Sequence, residues 1–310
     1  MDLRIIIEKF LASKVGAGRK PKTVESYRYH FEAFRDWCET NGCSQSDLLS
    51  LMGAETIEAY IAHRRTSGLS PHTVLGDYRA IRSLYKWMVS RRIIERHETP
   101  FEFLTEPRVP RRSPKAITEK DREKLMTYIA AIEDCWIARR DETILIVLAY
   151  CGLRLSEIVD LCEDDIDFRN KRMKVFRQKT EMDTVVPIVG PVTEPLREWV
   201  EDHRPIESDY LWPVAHKTGA VLDRPMSNWG LREMCRRRCK EAKCSRIWYP
   251  HAFRHFCGMN LARLNADAVL IGAVLGHQDP RSAMEYIIYG SDDLVPAVER
   301  LYSRRSHNSF

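Results

Sequence analysis

Two arginines, a lysine, two histidines and a tyrosine in the second half of the chain have side chains that suit chemistry on one phosphodiester. They are Arg154 in LAYCGLRLSEIVDL, Lys179 in RQKTEMD, His251 and Arg254 in YPHAFRHFCGMNL, and His277 and Tyr286 in VLGHQDPRSAMEYIIYG. Arginine forks fit phosphate oxygens and neutralise the charge that develops on them. A tyrosine hydroxyl can attack phosphorus and leave a phosphotyrosyl bond, while a lysine can protonate the departing 5′ hydroxyl.

Each of these residues also has a structural explanation when it is considered alone. Arg154 could form an internal pair with Glu157, three residues later on the same helix face. Lys179 could be a solvated lysine at the tip of a hairpin. His277 and Tyr286 are nine residues apart, which places them on opposite faces of one unbroken helix. The Asp-Pro pair between them breaks the helix, so a turn can bring both side chains to one pocket.

Together, the motifs resemble the tyrosine recombinases of the phage integrase family, and residues 10–302 most resemble the compact Xer-type members. The matching text is GLRLSE, QKT, HAFRH, LGH and a tyrosine nine residues after the last histidine. The resemblance implies that Arg154 and Arg254 clamp the scissile phosphate and that Lys179 is the general acid. It further implies that His251 assists proton movement at the nucleophile Tyr286.

The resemblance assigns supporting roles to three more residues. His277 would hydrogen-bond a phosphate oxygen, Glu157 would support the first arginine, and His255 would be structural. The usual threonine-rich approach to the tyrosine is here SAMEY, and Tyr289 lies about one helical turn beyond Tyr286. Tyr289 is therefore an alternative nucleophile, although the register favours Tyr286.

The resemblance also implies the reaction and its partners. We expect a site-specific recombinase that cuts double-stranded DNA at specific recombination sites, forms a 3′-phosphotyrosine and passes through a Holliday junction. Such enzymes self-associate to a tetramer on DNA, and residues 291–302 have an apolar face that suits docking into a neighbouring protomer; packing on its own domain is the alternative. Two other functions remain open, DNA relaxation of the type IB topoisomerase kind and DNA binding without catalysis.

Metal ions and other cofactors are not expected. The chemistry-bearing residues include no carboxylate cluster suited to Mg²⁺. A zinc site would have to combine Cys235, Cys239 and Cys244 with His251 and His255, and this spacing matches none of the usual patterns.

The elements that must position these residues indicate a mainly α protein with a small β-sheet. Helical periodicity dominates the first hundred residues, and a proline-interleaved stretch at 104–113 reads as a linker. We expect a helical core-binding domain at 1–104, which resembles the family's SAM-like domain, a linker at 105–116 and an α+β catalytic domain at 117–310. In the latter, runs at 172–176 and 184–188 predict one hairpin. Helices are predicted at about 192–202, 227–242, 250–263, 267–275, 280–288 and 293–303.

Charge and composition are consistent with a DNA partner and a cytoplasmic protein. The 310 residues carry a formal net charge of +5, and the basic residues are clustered. The predicted phosphate contacts are Lys20, Lys22, Arg111, Arg112, Arg236 and Arg237, with ordinary solvated faces as the alternative. Nine cysteines without a secretory signal predict reduced thiols. The longest apolar run, residues 144–153, is too short to span a bilayer.

Overall fold

The structure is a computed structural model that describes residues 2–43, 53–110, 113–132, 135–177, 181–188, 190–205, 208–216, 218, 220–277 and 279–290. The chain divides into two compact units, Met1–Arg112 and Ser113–Phe310. The predicted limits of the domains and the linker remain a prediction. None of the helices in the described ranges has the length and apolarity needed to cross a membrane.

The first unit is built from helices around an aromatic core. Its described helices are α1 (Leu3–Gly16), α2 (Pro21–Thr40), α3 (Ala54–Thr66) and α4 (Pro71–Ser90), followed by 3₁₀ turns at Arg96–Glu98 and Pro100–Glu102. The Ser70 side chain caps α4, and Pro71 occupies its first position. Phe10, Phe31 and Phe34 are fully buried among these helices. The helical character predicted for the first hundred residues is confirmed in the described part of this unit.

The second unit is mainly helical, with short strands. Its elements are α5 (Glu119–Ala130), α6 (Trp136–Cys151), α7 (Leu155–Val159), β1 (Ile166–Asp167), β2 (Arg172–Arg177), β3 (Met182–Pro187), α8 (Thr193–Glu198) with a π turn at Trp199–His203, β4 (Pro213–Ala215), β5 (Val221–Pro225), α9 (Asn228–Glu241), α10 (Pro250–Arg263), α11 (Ala268–Leu275) and α12 (Met284–Gly290). The core contains most of α6, and α10 packs against it.

Two small antiparallel sheets occur in this unit. One has the order β1-β2-β3, with Val175 opposite Thr184, and it contains the predicted hairpin. The other pairs β4 with β5. The expectation of only one small sheet was wrong, because β4 and β5 have three and five residues and a register shift at Pro213, too little for a detectable alternation. The mainly α class with small sheets is confirmed.

The carboxyl-terminal helices follow the prediction closely, except near residue 280. The stretch predicted as one helix at 280–288 begins as a 3₁₀ turn, Pro280–Ala283, and continues as α12. The helix predicted at 293–303 lies outside the described residues.

The start of α10 is fixed by a buried carboxylate on α5. Asp121 accepts hydrogen bonds from the Ser245 backbone N–H at 2.9 Å, from the Ser245 hydroxyl and from Trp248 Nε1 at 2.8 Å. Next to it, the Ile117 N–H donates to the Ala252 carbonyl at 3.2 Å. These bonds hold the start of α10, the helix that carries His251, Arg254 and His255.

Candidate active site

The site forms where two helices end in left-handed glycines. Gly152 ends α6 with a φ of +62°, and Gly276 ends α11 with a φ of +63°. A Cβ on Gly152 would lie 2.4 Å from Leu275 Cδ2, so the two helix ends meet at van der Waals distance only because this residue is glycine. The two turns bring Arg154 and His277 into one region.

Arg154 lies at the start of α7 and bridges to the other helix end. Its Nη1 donates to Glu157 Oε1 at 2.7 Å, and its Nη2 donates to the Gly276 carbonyl at 2.6 Å. The Arg154 backbone N–H also donates to Glu157 Oε2 at 2.7 Å. The internal arginine–glutamate pair is therefore formed, yet 27% of the Arg154 side chain remains exposed. This exposure leaves the guanidinium accessible to a ligand.

Arg254 is almost fully buried, at 2% exposure, one residue before His255 on α10. Its Nη1 and Nη2 donate to the Gly152 and Leu275 carbonyls, both at 2.5 Å. Burial lowers the pKa of Arg254 to about 10, so the group remains charged at neutral pH. A guanidinium has five N–H donors, and these two bonds leave capacity for a phosphate oxygen.

Tyr286 on α12 lies against the same helix, 1% exposed. Its hydroxyl is 2.9 Å from His255 Nδ1, and its ring stacks on His277 with centroids 6.2 Å apart. The ring can pack here only because residue 258 is glycine, since a Cβ at this position would lie 2.8–2.9 Å from three ring carbons. Burial raises the pKa of Tyr286 to about 12, so the hydroxyl keeps its proton in this state.

The roles expected of the three histidines stay predictions, and the structure shows which of them contacts Tyr286. His255, expected to be structural, contacts the Tyr286 hydroxyl, whereas His251 is exposed and lies behind it, with ring centroids 4.3 Å apart. Burial, followed by nearby positive charge, lowers the pKa of His255 and of His277 to about 4, so both rings are neutral at pH 7. His277 Nδ1 is buried with no hydrogen-bond partner among the described residues. That atom fits the role of a ligand contact.

Arg177 is a site residue that the sequence analysis did not identify. It is 2% exposed, donates from Nη1 to Glu157 Oε2 at 2.6 Å, and donates from Nε to Thr184 Oγ1 at 2.8 Å. The alternation of β2 was the available signal. Met173 and Val175 point inward, so position 177 also points inward and buries an arginine.

Several predicted residues cannot be placed. Lys179, Arg111, Arg112 and the segment 291–302 lie outside the described residues, and so does the side chain of Tyr289. Lys20 and Lys22 are exposed at the start of α2.

The predicted phosphate contacts on α9 have partners within the chain. Arg236 pairs with Glu233, and Arg237 donates to buried Asp141 at 3.0 Å. Both guanidinium groups are therefore partly neutralised, and their contact with phosphates stays a prediction. Among the described residues, no group of three or more His, Cys, Asp or Glu side chains could hold a metal ion.

Comparison with known proteins identifies both units. The Phage integrase family profile matches residues 115–289, and the profile of the phage integrase N-terminal SAM-like domain matches residues 6–95. Tyrosine recombinase XerA of Thermococcus kodakarensis is 26% identical over 309 residues, which cover 95% of this chain and 94% of that protein. The predicted resemblance and the SAM-like first domain are confirmed.

Two solved structures have the same fold. A lambda integrase fragment, solved as a dimer bound to a COC′ core site, has a TM-score of 0.72 at 15% identity, with 94% of this chain and 97% of that chain covered. A lambda integrase tetramer bound to a Holliday junction has a TM-score of 0.67 at 15% identity, with 90% and 78% covered.

Proposed function

Because the chain belongs to the phage integrase family, we propose that it is a site-specific DNA recombinase that cuts and rejoins strands through Tyr286. One observation carries the proposal: the buried Tyr286 hydroxyl is hydrogen-bonded to a neutral histidine, His255, beside Arg254 and His277. A phenol next to a proton acceptor and a charged guanidinium is the arrangement that nucleophilic attack on a phosphodiester requires.

Strand cleavage would proceed by in-line attack. The Tyr286 oxygen bonds to phosphorus, its proton passes to His255 Nδ1, and the bond from phosphorus to the 5′ oxygen breaks. We assign proton acceptance to His255 rather than to His251, because His255 makes the contact. Arg154 and Arg254 would hold the non-bridging oxygens, His277 would hydrogen-bond one of them, and Lys179 would protonate the 5′ oxygen. The products are a 3′-phosphotyrosine and a free 5′ hydroxyl.

Strand exchange would follow when the 5′ hydroxyl from a partner site attacks the phosphotyrosine. Four protomers would act on two specific sites in double-stranded DNA and pass through a Holliday junction, with residues 291–302 docking into a neighbouring protomer. The fold likeness to the lambda integrase tetramer on a Holliday junction supports this assembly. We propose that the reaction uses no metal ion or cofactor. We place it in the cytoplasm, which the nine free cysteines support.

Backbone phosphates would be held by basic side chains outside the site. Lys20, Lys22, Arg111 and Arg112 keep their proposed role, while Arg236 and Arg237 would contribute less, because each is paired with a carboxylate. Such contacts position the duplex without reading its sequence.

A covalent-adduct assay tests the proposal. We would incubate the full chain with a pool of randomised duplexes that each carry a nick in the strand to be cleaved. Cleavage close to the nick releases a short fragment with the free 5′ hydroxyl, which diffuses away and leaves the protein attached to the DNA. The protein–DNA adducts are separated on denaturing gels. We expect an adduct with the unchanged protein and with Tyr289→Phe, and none with Tyr286→Phe, which should still bind DNA.

Four outcomes would contradict parts of the proposal. An adduct that persists in Tyr286→Phe and disappears in Tyr289→Phe would transfer the nucleophile. Relaxation of plasmids that lack paired sites would indicate topoisomerase-like activity. Binding without an adduct in every variant would indicate a DNA-binding protein. Loss of the adduct in chelator, with recovery on addition of Mg²⁺, would refute metal independence.

A further inference from the structure

Arg177 joins three elements that carry the site. It belongs to β2, it bonds to Glu157 on α7 at 2.6 Å, and its Nη2 lies 3.4 Å from the Val274 carbonyl on α11. It also fills the space under the turn before His277, because a Cβ on Gly276 would lie 2.6 Å from the Arg177 Cζ. A fully buried guanidinium in this place is costly unless a buried anion meets it.

The anion that meets it is the carboxylate that also binds the first catalytic arginine. Glu157 is buried, and its two oxygens are divided between partners: Oε1 accepts from Arg154 Nη1, and Oε2 accepts from Arg177 Nη1 and the Arg154 backbone N–H. If Arg177 were absent, Glu157 and Arg154 would form a neutral pair. With Arg177 present, the pair gains a second cation and keeps a surplus positive charge.

The surplus positive charge matches the negative charge of the transition state. Three buried or half-buried guanidinium groups, Arg154, Arg177 and Arg254, face one carboxylate, which leaves two positive charges. A phosphodiester carries one negative charge, and the five-coordinate transition state carries about two. Stabilisation of charge that develops only in the transition state accelerates the chemical step.

We propose that Arg177 is a positioning residue for strand cleavage, which binds Glu157 and so keeps the charge of Arg154 available for the scissile phosphate. This inference rests on the proposed function. Arg177 would act through Glu157 and Arg154, without touching DNA itself.

The test compares two substrates that differ only in the charge at the cleaved position. One is a nicked duplex with an ordinary phosphodiester, and the other has a single uncharged methylphosphonate there, whose transition state carries one negative charge fewer. We expect Arg177→Gln to form the adduct about 100-fold more slowly than the unchanged protein on the phosphodiester. On the methylphosphonate, the difference between the two proteins should shrink to less than about fivefold.

Two further variants complete the design. Arg172→Gln removes an arginine from the other end of the same strand, where it is 54% exposed and paired with Asp167, and it should cleave both substrates normally. Arg177→Lys retains the charge and should cleave the phosphodiester at least about tenfold faster than Arg177→Gln. If Arg177→Gln does not fold, the test uses Arg177→Lys alone. Adduct formation by Arg177→Lys that is about 100-fold slower than by the unchanged protein on both substrates would overturn the proposal.

If Arg177→Gln slowed adduct formation equally on the two substrates, the proposal would also be overturned, because the effect of a purely structural role does not depend on substrate charge. The double variant Glu157→Gln/Arg177→Gln removes both buried charges and should recover part of the phosphodiester rate. Failure of the proposed function gives a different result: the unchanged protein would form no adduct, or the adduct would survive in Tyr286→Phe.

Discussion

Replacement of Gly258 by alanine should misplace Tyr286, the proposed nucleophile, while it leaves DNA binding intact. The new Cβ would lie 2.8 Å from Tyr286 Cε1 and 2.9 Å from Cδ1 and Cζ. Since ordinary contacts begin near 3.4 Å, the ring must move by about 0.5 Å. That shift disturbs the 2.9 Å hydrogen bond from the Tyr286 hydroxyl to His255. A displacement of about 1 Å in a reacting group can cost about 100-fold, so we expect cleavage about tenfold to 100-fold slower.

Folding should be much less affected than cleavage. Overpacking costs about 1–3 kcal/mol, whereas alanine is about 1 kcal/mol better than glycine inside a helix such as α10. The net loss in the free energy of unfolding should therefore be about 0–2 kcal/mol. Cleavage is measured as single-turnover adduct formation, binding as a gel shift and stability as urea denaturation.

Gly16→Ala is the matched control, because a Cβ at that end of α1 meets nothing within 4 Å. It should leave cleavage and DNA binding unchanged and should raise the free energy of unfolding by at most about 1 kcal/mol. If Gly258→Ala formed the adduct within about threefold of the normal rate, the position of the Tyr286 ring in this structure would not be the one that matters for cleavage.

Three other predictions concern pH, stability and salt. The pKa values of His255 and His277 fall from 6.5 to about 4 on folding, so the unfolded chain binds more protons than the folded chain between these pH values. The free energy of unfolding, measured by urea denaturation, should therefore fall as the pH is lowered from 6.5 towards 4. His277→Gln should make this pH dependence weaker. Asp121→Ala should lower the free energy of unfolding by about 2–4 kcal/mol at pH 7, because it leaves the buried Trp248 Nε1 and the half-buried Ser245 N–H without their acceptor; a loss below about 1 kcal/mol would contradict this. Lys22→Gln should lower the slope of log affinity against log salt by about 1, because Lys22 is an exposed proposed phosphate contact, whereas Arg237→Gln should lower the slope by less, because Arg237 is paired with Asp141; equal effects would show that this pairing does not matter.

Local signals in the sequence were sufficient for the elements that carry the site. Pro250 at the first position of α10 and helical spacing to Arg263 gave the bounds of that helix. The two β-leaning runs at 172–176 and 184–188, joined by a polar segment, gave the hairpin. Both signals depend on neighbours within a few residues, which a sequence displays directly. The β4–β5 pair has too few residues to display such a period, and it was missed for that reason.

The contacts inside the site could not be predicted in the same way. His251 and His255 are four residues apart on one helix, and only the path of α12 decides which ring meets the Tyr286 hydroxyl. Arg177 is buried because Glu157 and Val274, 20 and 97 residues away, converge on it. Nothing in RQKT indicates those partners. A sequence motif indicates which side chains could react. Which of their charges are paired depends on contacts between segments that are distant in the sequence.

The guanidinium groups of the site share one further feature, their contacts with helix ends. Arg254 donates to the Gly152 and Leu275 carbonyls, Arg154 donates to the Gly276 carbonyl, and Arg177 approaches Val274. These carbonyls lie at the carboxyl ends of α6 and α11, where backbone oxygens lack intrahelical donors and the helix dipole is negative.

The two helix ends therefore stabilise cations without adding a second carboxylate, which would neutralise them. A glycine accordingly lies two residues before Arg154, in GLR, and directly before His277, in LGH. The left-handed glycine turns the chain away and leaves the terminal carbonyls open to a guanidinium. A side chain at Gly152 would separate α6 from α11 and remove the shared anchor of Arg254, even though residue 152 takes no part in the chemistry.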